Sequence, residues 1–275
     1  MGQQIKIKYP EIIYKYRSWD DAFHKKMLTH NELYIPTPNE LNDPFDCKIN
    51  YNYGFLKDEN KPIEFVENMI EKHYTKLNEK GYNILELSKK LNNQILYDLI
   101  ELQKQSDLNR DKLRDKHQGV VSFSIIWFNL LMWSHYSNNH KGFCLGFKTE
   151  HLINSKKFNN GGYVKYDDNY PELNPMNDDN IMNMFSMLYH KTKDWEYEQE
   201  YRMTKLFGFN ENQTEFENQK KIWFENDTIS EVILGLKMTN EDKSEILSIC
   251  KNKGVKVYQI KEVPYKFELS REEVS

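Results

Sequence analysis

Apolar positions along this chain follow two periods, and the places where one gives way to the other mark its elements. Residues 11–19, EIIYKYRSW, mix β-branched and aromatic side chains as a strand does, and Asp20 precedes a helix-like stretch, DAFHKKMLTHN. Residues 32–36, ELYIP, read as a second short strand, closed by prolines and the polar loop NELNDPFD. Over 62–116, Phe65, Met69, Ile70 and Leu77, then Leu87, Leu91, Ile95, Leu99 and Leu102, recur at the helical period. That predicts an inserted lobe of two or three helices, broken at Gly81 and peripheral to any chemistry. The Lys and Glu between its apolar positions make a solvated face.

Beyond the lobe, GVVSFSII (119–126) predicts a buried strand, and WFNLLMWSHYSNNH a helix ending near Asn139. GFCLGF and residues 162–166 predict further strands, residues 181–191 a helix, and YEQEYRMTKLF a strand rich in aromatic rings. The tail is the clearest unit: strand SEVILG, helix NEDKSEILSICKNKG and strand VKVYQIKEV form a βαβ-like element, with Gly254 as the helix stop. Strands separated by helices of unequal length predict an α+β fold. The expectation is one domain over residues 1–275, with a small mixed or antiparallel sheet flanked by helices.

Composition narrows the classes of partner. With 38 basic and 42 acidic residues interspersed and a net charge of -4, the chain carries no global field for duplex nucleic acid. Mean hydropathy is -0.83, yet 18 Tyr and 15 Phe supply large side chains whose hydroxyls, in Tyr, suit half-wet walls. Cys47, Cys144 and Cys250 are far apart and form no CxxC pair, which predicts a reducing compartment and neither disulfides nor a structural metal. The first twenty residues contain no apolar core of a signal peptide and no long apolar run follows, so the expectation is a cytoplasmic protein without a membrane partner.

Four segments set versatile polar groups among aromatic ones: Tyr14-Lys15-Tyr16-Arg17, Leu41-Asn42-Asp43-Pro44-Phe45-Asp46, Met132-Trp133-Ser134-His135-Tyr136, and the run from Trp195 to Arg202, WEYEQEYR. Arg17 suits bidentate grip of a phosphate or carboxylate, or else pairs with a structural acid. Asp43, before Pro44, suits a turn, as does Asn42; beside a cleft, Asp43 and Asp46 instead suit the orientation of Arg17 or a base. His135 is the best-placed histidine for general acid–base work, against the alternative of a hydrogen-bonded, half-buried ring; with His140 and Cys144 it fits no closed zinc spacing. If 196–203 is a strand, Glu196, Glu198, Glu200 and Arg202 share one face, and the crowded carboxylates raise at least one pKa; if it is a helix, Glu198 and Arg202 make an ordinary ion pair.

Taken with the frame between them, NDPFD, MWSHY followed by HKGFCLGF, and WEYEQEYR resemble the bacterial family known as domain of unknown function 2971, from about Ile13 to Val263 with the helical insertion excluded. That resemblance implies a fold and no activity. More distantly, Arg17 on the first strand, Ser122-Phe123-Ser124 on a central strand and the late Glu198-x-Glu200 resemble the ADP-ribosyltransferase pattern, although Phe123 replaces the expected threonine and MWSHY has no place in it. The resemblance implies NAD as substrate, with Arg17 holding it, Tyr16, Ser122, Ser124 and Tyr136 lining its site, Glu200 as the catalytic carboxylate and Glu198 activating an acceptor macromolecule. A toxin or anti-phage effector is the corresponding role. Two other readings stay open: a metal-dependent nuclease in which Asp43, Asp46, Glu198 and Glu200 gather Mg²⁺ with His135 as base, and a non-enzymatic ligand- or protein-binding module.

Overall fold

The computed structural model describes residues 9–58, 60–177, 183, 186–208 and 212–275. Its helices are α1 (Ala22–Thr29), α2 (Lys61–Glu79), α3 (Ile84–Tyr97), α4 (Leu99–His117), α5 (Leu130–Tyr136), α6 (Thr149–Asn154), α7 (Gln213–Gln219) and α8 (Asn240–Lys253). Its strands are β1 (Ile12–Arg17), β2 (Glu32–Tyr34), β3 (Gln118–Ser124), β4 (Phe143–Lys148), β5 (Asn160–Tyr163), β6 (Lys165–Tyr166), β7 (His190–Lys191), β8 (Glu200–Leu206), β9 (Lys221–Trp223), β10 (Ile229–Leu234), β11 (Lys256–Glu262) and β12 (Leu269–Glu273).

The chain divides into two compact units, one of residues 1–41, 116–168 and 191–275, the other of residues 42–115 and 169–190. In the second, α2, α3 and α4 cover the stretch whose helical period the sequence carries. Gly81, at φ +73, ends the first of these turns. Val66, Ile70 and Ile95 pack there with Tyr53 and Leu56. Asp43 accepts the amide of Phe45 at 2.9 Å, the turn chemistry its position beside Pro44 suggests.

The first unit is built on an eight-stranded mixed sheet in the order β12-β11-β10-β4-β1-β3-β8-β5, larger than the small sheet expected. Neighbouring strands are antiparallel except β10 and β11, which run parallel because α8 provides the crossover between them. Thr239 caps α8 and Gly254, at φ +66, stops it. Alternation along the strands sorts the residues into two layers. Ile13, Phe123, Leu145, Phe147, Tyr201, Met203 and Val232 form one core with Leu28 of α1, Leu152 of α6 and Ile246 of α8. On the opposite face Tyr14, Tyr16, Cys144 and Ile233 pack with Met132 and Trp133 of α5.

Three expected elements differ from the structure or fall in part outside the described residues. The helix expected over 127–140 is the shorter α5, because Asn129 caps its start and Asn138, Asn139 and His140 all adopt positive φ, which no helix accommodates. The strand expected from Tyr197 begins only at Glu200: residues Lys193–Glu198 form a 3₁₀ turn, and Gln199, at φ +43, reverses the chain. Glu196 is therefore exposed and shares no strand face with Glu198 and Glu200. The helix expected over 181–191 falls largely outside the described residues, and His190 and Lys191 at its end form β7.

Two glycines close the α5 side of the sheet. A Cβ on Gly142 would sit 2.1 Å from the Arg17 carbonyl oxygen, and one on Gly235 would sit 2.3 Å from that of His140. Backbone opposes both, so the main chain itself must move to accommodate a methyl group. Gly142→Ala is expected to cost about 1–3 kcal/mol, as overpacking does, read as a lower urea midpoint at unchanged slope; a midpoint equal to that of the parent would contradict the close approach.

Candidate functional site

The ladder of the first unit's sheet is thinnest at its centre. β1 pairs with β4 along all six of its residues and β3 pairs with β8 along all seven, but among the described residues β1 meets β3 at Tyr14 opposite Ser124 alone. Beyond that point no further register pair joins the two strands among the described residues, and the buried Lys15 ammonium donates to the Ser122 carbonyl at 2.5 Å. Burial first, then the Arg17 charge, push the Lys15 pKa well below its ordinary value, while Glu200 and Glu198 pull the other way.

Beside this point a chain of polar groups runs inward on the α5 face. His135 is exposed on α5, and its Nδ1 lies 3.1 Å from the Tyr197 hydroxyl. Tyr197 is hydrogen-bonded to Tyr136, whose own hydroxyl donates to Glu198 Oε1 at 2.5 Å. Lys191 Nζ donates to Glu198 Oε2 at 2.7 Å and lies 3.5 Å from Glu200 Oε2. Arg202 closes the chain with a bidentate grip on Glu200, Nε to Oε1 at 2.6 Å and Nη2 to Oε2 at 2.9 Å. The inner members are dry: Glu200 is 3% exposed and Arg202 0%.

Local structure explains why two carboxylates so near in sequence meet the same lysine. Were residues 198–200 a regular strand, Glu198 and Glu200 would point the same way about 6–7 Å apart along the backbone. The left-handed turn at Gln199 folds Glu198 back against β8 instead, between Lys191 and Tyr136. Tyr166 fixes the turn by accepting the Glu200 amide at 2.9 Å. Across the sheet, Ser124 faces Glu200 and Ser122 faces Arg202, and the Ser122 hydroxyl also donates to the Glu200 carboxylate.

The environment drives the two carboxylates apart. For Glu198, burial raises the pKa and neighbouring Glu200 adds to it, with Lys191 and Tyr136 opposing. Burial would raise Glu200 too, but the Arg202 charge, then Lys191 and the bonds from Arg202 and Ser122, hold it down at about 2. The surroundings thus hold Glu200 as an anion and push Glu198 in the opposite direction.

The remaining candidates fall at different depths. Arg17 is half-buried; its Nη1 donates to the Tyr16 carbonyl at 3.0 Å, and it makes no ion pair among the described residues. Burial lowers its pKa to about 10, which leaves it charged at neutral pH. Asp21 and Tyr136 are its electrostatic neighbours, so Arg17 belongs to the outer end of the same region. Tyr16, by contrast, is a packing residue: its ring meets Trp133 edge-on at 5.1 Å and its hydroxyl donates to the Ile126 carbonyl at 2.8 Å. Ser124 is buried, and its Oγ accepts the Ile126 amide at 3.3 Å. Ser134 Oγ lies 3.2 Å from His140 Nε2, away from His135. Asp43 and Asp46 belong to the second unit, Glu198 and Glu200 to the first. Among the described residues no group of three or more His, Cys, Asp or Glu side chains is arranged to hold a metal ion, and no helix is long and apolar enough to cross a membrane.

Lys191 and Tyr166 are not among the residues singled out from sequence, and Lys15 stands in a singled-out segment without a role of its own. Lys15 had a signal: strand alternation puts it on the face of Ile13, inside the core. Lys191 had none, because its partners are set by the turn at Gln199.

A family model described as protein of unknown function (DUF2971) matches residues 132–203. That stretch contains every member of the chain from His135 to Arg202 and leaves out Arg17, Ser122 and Ser124. No curated protein and no solved structure matches this chain.

Stability should record the split between the carboxylates with opposite signs. Glu200, depressed from 4.5 to about 2, contributes stability that is present above pH 4.5 and lost as pH falls toward 2. Glu198, raised above 4.5, contributes stability that is present below that pH and lost as pH climbs through its folded value. Urea unfolding across the acid range should therefore give a flatter limb below pH 4.5 in Glu200→Gln and a flatter limb just above it in Glu198→Gln. Parallel profiles in all three proteins would refute the assignment. Arg202→Met, which leaves Glu200 buried without its main partner, should cost about 3–5 kcal/mol in the same assay at pH 7; a loss below 1 kcal/mol would mean the pair is solvated.

Proposed function

We propose that the first unit cleaves the nicotinamide–ribose bond of NAD, as an ADP-ribosyltransferase or NAD glycohydrolase. The observation that supports this reading is the row Tyr14, Ser124 and Glu200 across three adjacent strands, with both carboxylates of Glu198-x-Glu200 gathered at Lys191 beside the thin pairing between β1 and β3. The sequence pattern that resembles ADP-ribosyltransferases calls for its serines and its late glutamates in one place, and strand register supplies that here.

The chemistry asks little of the protein beyond position and charge. When the bond between the nicotinamide ring nitrogen and ribose C1′ breaks, its electron pair leaves with nicotinamide, which departs neutral, and positive charge passes to the ribose. Glu200, ionised at any physiological pH, is suited to stabilise that charge from a preorganised, low-dielectric position. Glu198, with its raised pKa, is suited to take the proton from the acceptor as its oxygen or nitrogen bonds to C1′. Arg17, with donors to spare, suits the diphosphate. Tyr136, already held on Glu198, sets that carboxylate rather than stacking on the substrate. Tyr16 and Ser124 support the strands.

A second reading rests on a specific observation: Lys191, Arg202, Tyr136 and Ser122 already engage the oxygens of both carboxylates. A purely structural ion cluster in a binding module has the same contacts. The two readings part on kinetics. Because the Glu200–Arg202 pair is buried, Glu200→Gln should lower the melting temperature as well as activity, more than the 0–1 kcal/mol of an exposed pair. Arg17→Lys and Glu198→Gln are therefore the sharper variants. NAD consumption by purified protein, with and without cell extract, is expected to fall at least about a hundredfold in Glu198→Gln, while Arg17→Lys raises KM for NAD with kcat little changed. No NAD consumption by the parent protein in either condition, or variants that alter only the melting temperature, would favour the binding module.

A further inference from the structure

A second feature of the first unit lies away from the polar chain and has no part in the reading above. Residues of the α6–β5 connection, β8 and β9 line a pocket of about 430 Å³. Four of its eight lining residues are lysines, Lys156, Lys157, Lys205 and Lys221, and none is acidic. This is a local excess of positive charge on a chain of net charge -4. Glu32, the register partner of Trp223 on β2, is not part of the lining.

The lysines are not equivalent. Lys205 donates to the Gln219 carbonyl at 2.7 Å, and burial together with the Lys157 charge lowers its pKa. Lys157 donates to the Trp223 carbonyl. The ammonium groups of Lys156 and Lys221 make no hydrogen bond or ion pair among the described residues. Four lysines lining one pocket with no carboxylate among them favour an anion from outside the chain.

Trp223 adds the second half of the recognition. β9 alternates, so Ile222 is buried while Lys221 and Trp223 share the outer face. The indole is 51% exposed and makes no ring contact or hydrogen bond among the described residues. An indole plane beside lysines is the pairing that binds nucleotides, base on ring and phosphate on ammonium. Acidic peptides use the lysines alone. The volume suits a single nucleotide rather than the width of a duplex.

We propose that this pocket binds a nucleotide, with its phosphate on Lys156 and Lys221 and its base against Trp223, taken either free or as one unit of a single strand. The test is fluorescence anisotropy of a labelled single-stranded DNA oligonucleotide, titrated with the full-length protein over a range of salt, with AMP and an oligoglutamate peptide as competitors. Lys156→Gln combined with Lys221→Gln is expected to weaken binding about tenfold and to flatten the salt slope by roughly 0.7, the contribution of one phosphate on a single strand. Trp223→Ala is expected to weaken it at least about fivefold with an unchanged salt slope, and Trp223→Phe to restore most of the loss. Competition by AMP at concentrations comparable to its oligonucleotide equivalent assigns the pocket to free nucleotides; competition only by unlabelled strand assigns it to nucleic acid. Oligoglutamate competing as well as the strand, or affinity indifferent to Trp223→Ala, would overturn the proposal. Both surface variants keep Lys157 and Lys205, whose carbonyl bonds hold the local backbone, and equal melting temperatures check that they fold.

Discussion

A guanidinium with no exposed surface has to be neutralised where it lies, and Arg202 is such a group at the centre of β8. Glu200, two residues before it on the same strand face, meets that need with two hydrogen bonds. The solution brings its own demand, since Glu200 and Glu198 together would overload the space with negative charge; Lys191 stands between them and contacts both. Each further contact follows from the last. Tyr136 and Tyr197 carry hydrogen bonding outward from Glu198 until His135 meets solvent.

This cluster is an expensive way to fill a sheet face. Desolvating two carboxylates and two cations costs several kcal/mol per ion before their attraction returns any of it, and apolar residues of similar volume in such places are often as stable or more so. On the same face a few residues away, Tyr16, Trp133, Cys144 and Ile233 show what apolar filling looks like in this fold. Stability alone is thus a weak reason for ions at Glu198, Glu200 and Arg202, and this is what supports the proposal that they have a task.

Legibility from sequence followed range. Elements defined by a local period or a local stop were readable: the helical stretch through Leu87 and Leu91, the βαβ tail ending at Gly254, the alternating strand of Ile13 and Tyr14. Where a single residue leaves its expected backbone region the reading failed, because nothing in a glutamine announces a left-handed conformation. Gln199 is the case that mattered, for it turned an imagined row of three glutamates into two, with Glu196 left in solvent. Pairings across the sheet were legible only as residue types. Ser122, Ser124 and Glu200 were chosen as a pattern, whereas their alignment depends on the β3–β8 register, which no window of sequence contains. Tyr16 illustrates the converse: a tyrosine beside a candidate arginine looked like part of a site, yet alternation had already assigned its ring to Trp133.

The thin pairing between β1 and β3 adjoins the ion cluster. A fully paired sheet would leave no approach to side chains on its central strands except from above, through α5. The single register pair, Tyr14 with Ser124, comes at the expense of backbone hydrogen bonds that a longer ladder would make. Lys15 compensates in part by reaching the Ser122 carbonyl, and it does so with an ammonium whose charge its surroundings disfavour. Burial and the Arg17 charge lower the pKa of Lys15 while Glu200 and Glu198 raise it, so the thinnest pairing of the sheet is also where buried charges of both signs oppose each other.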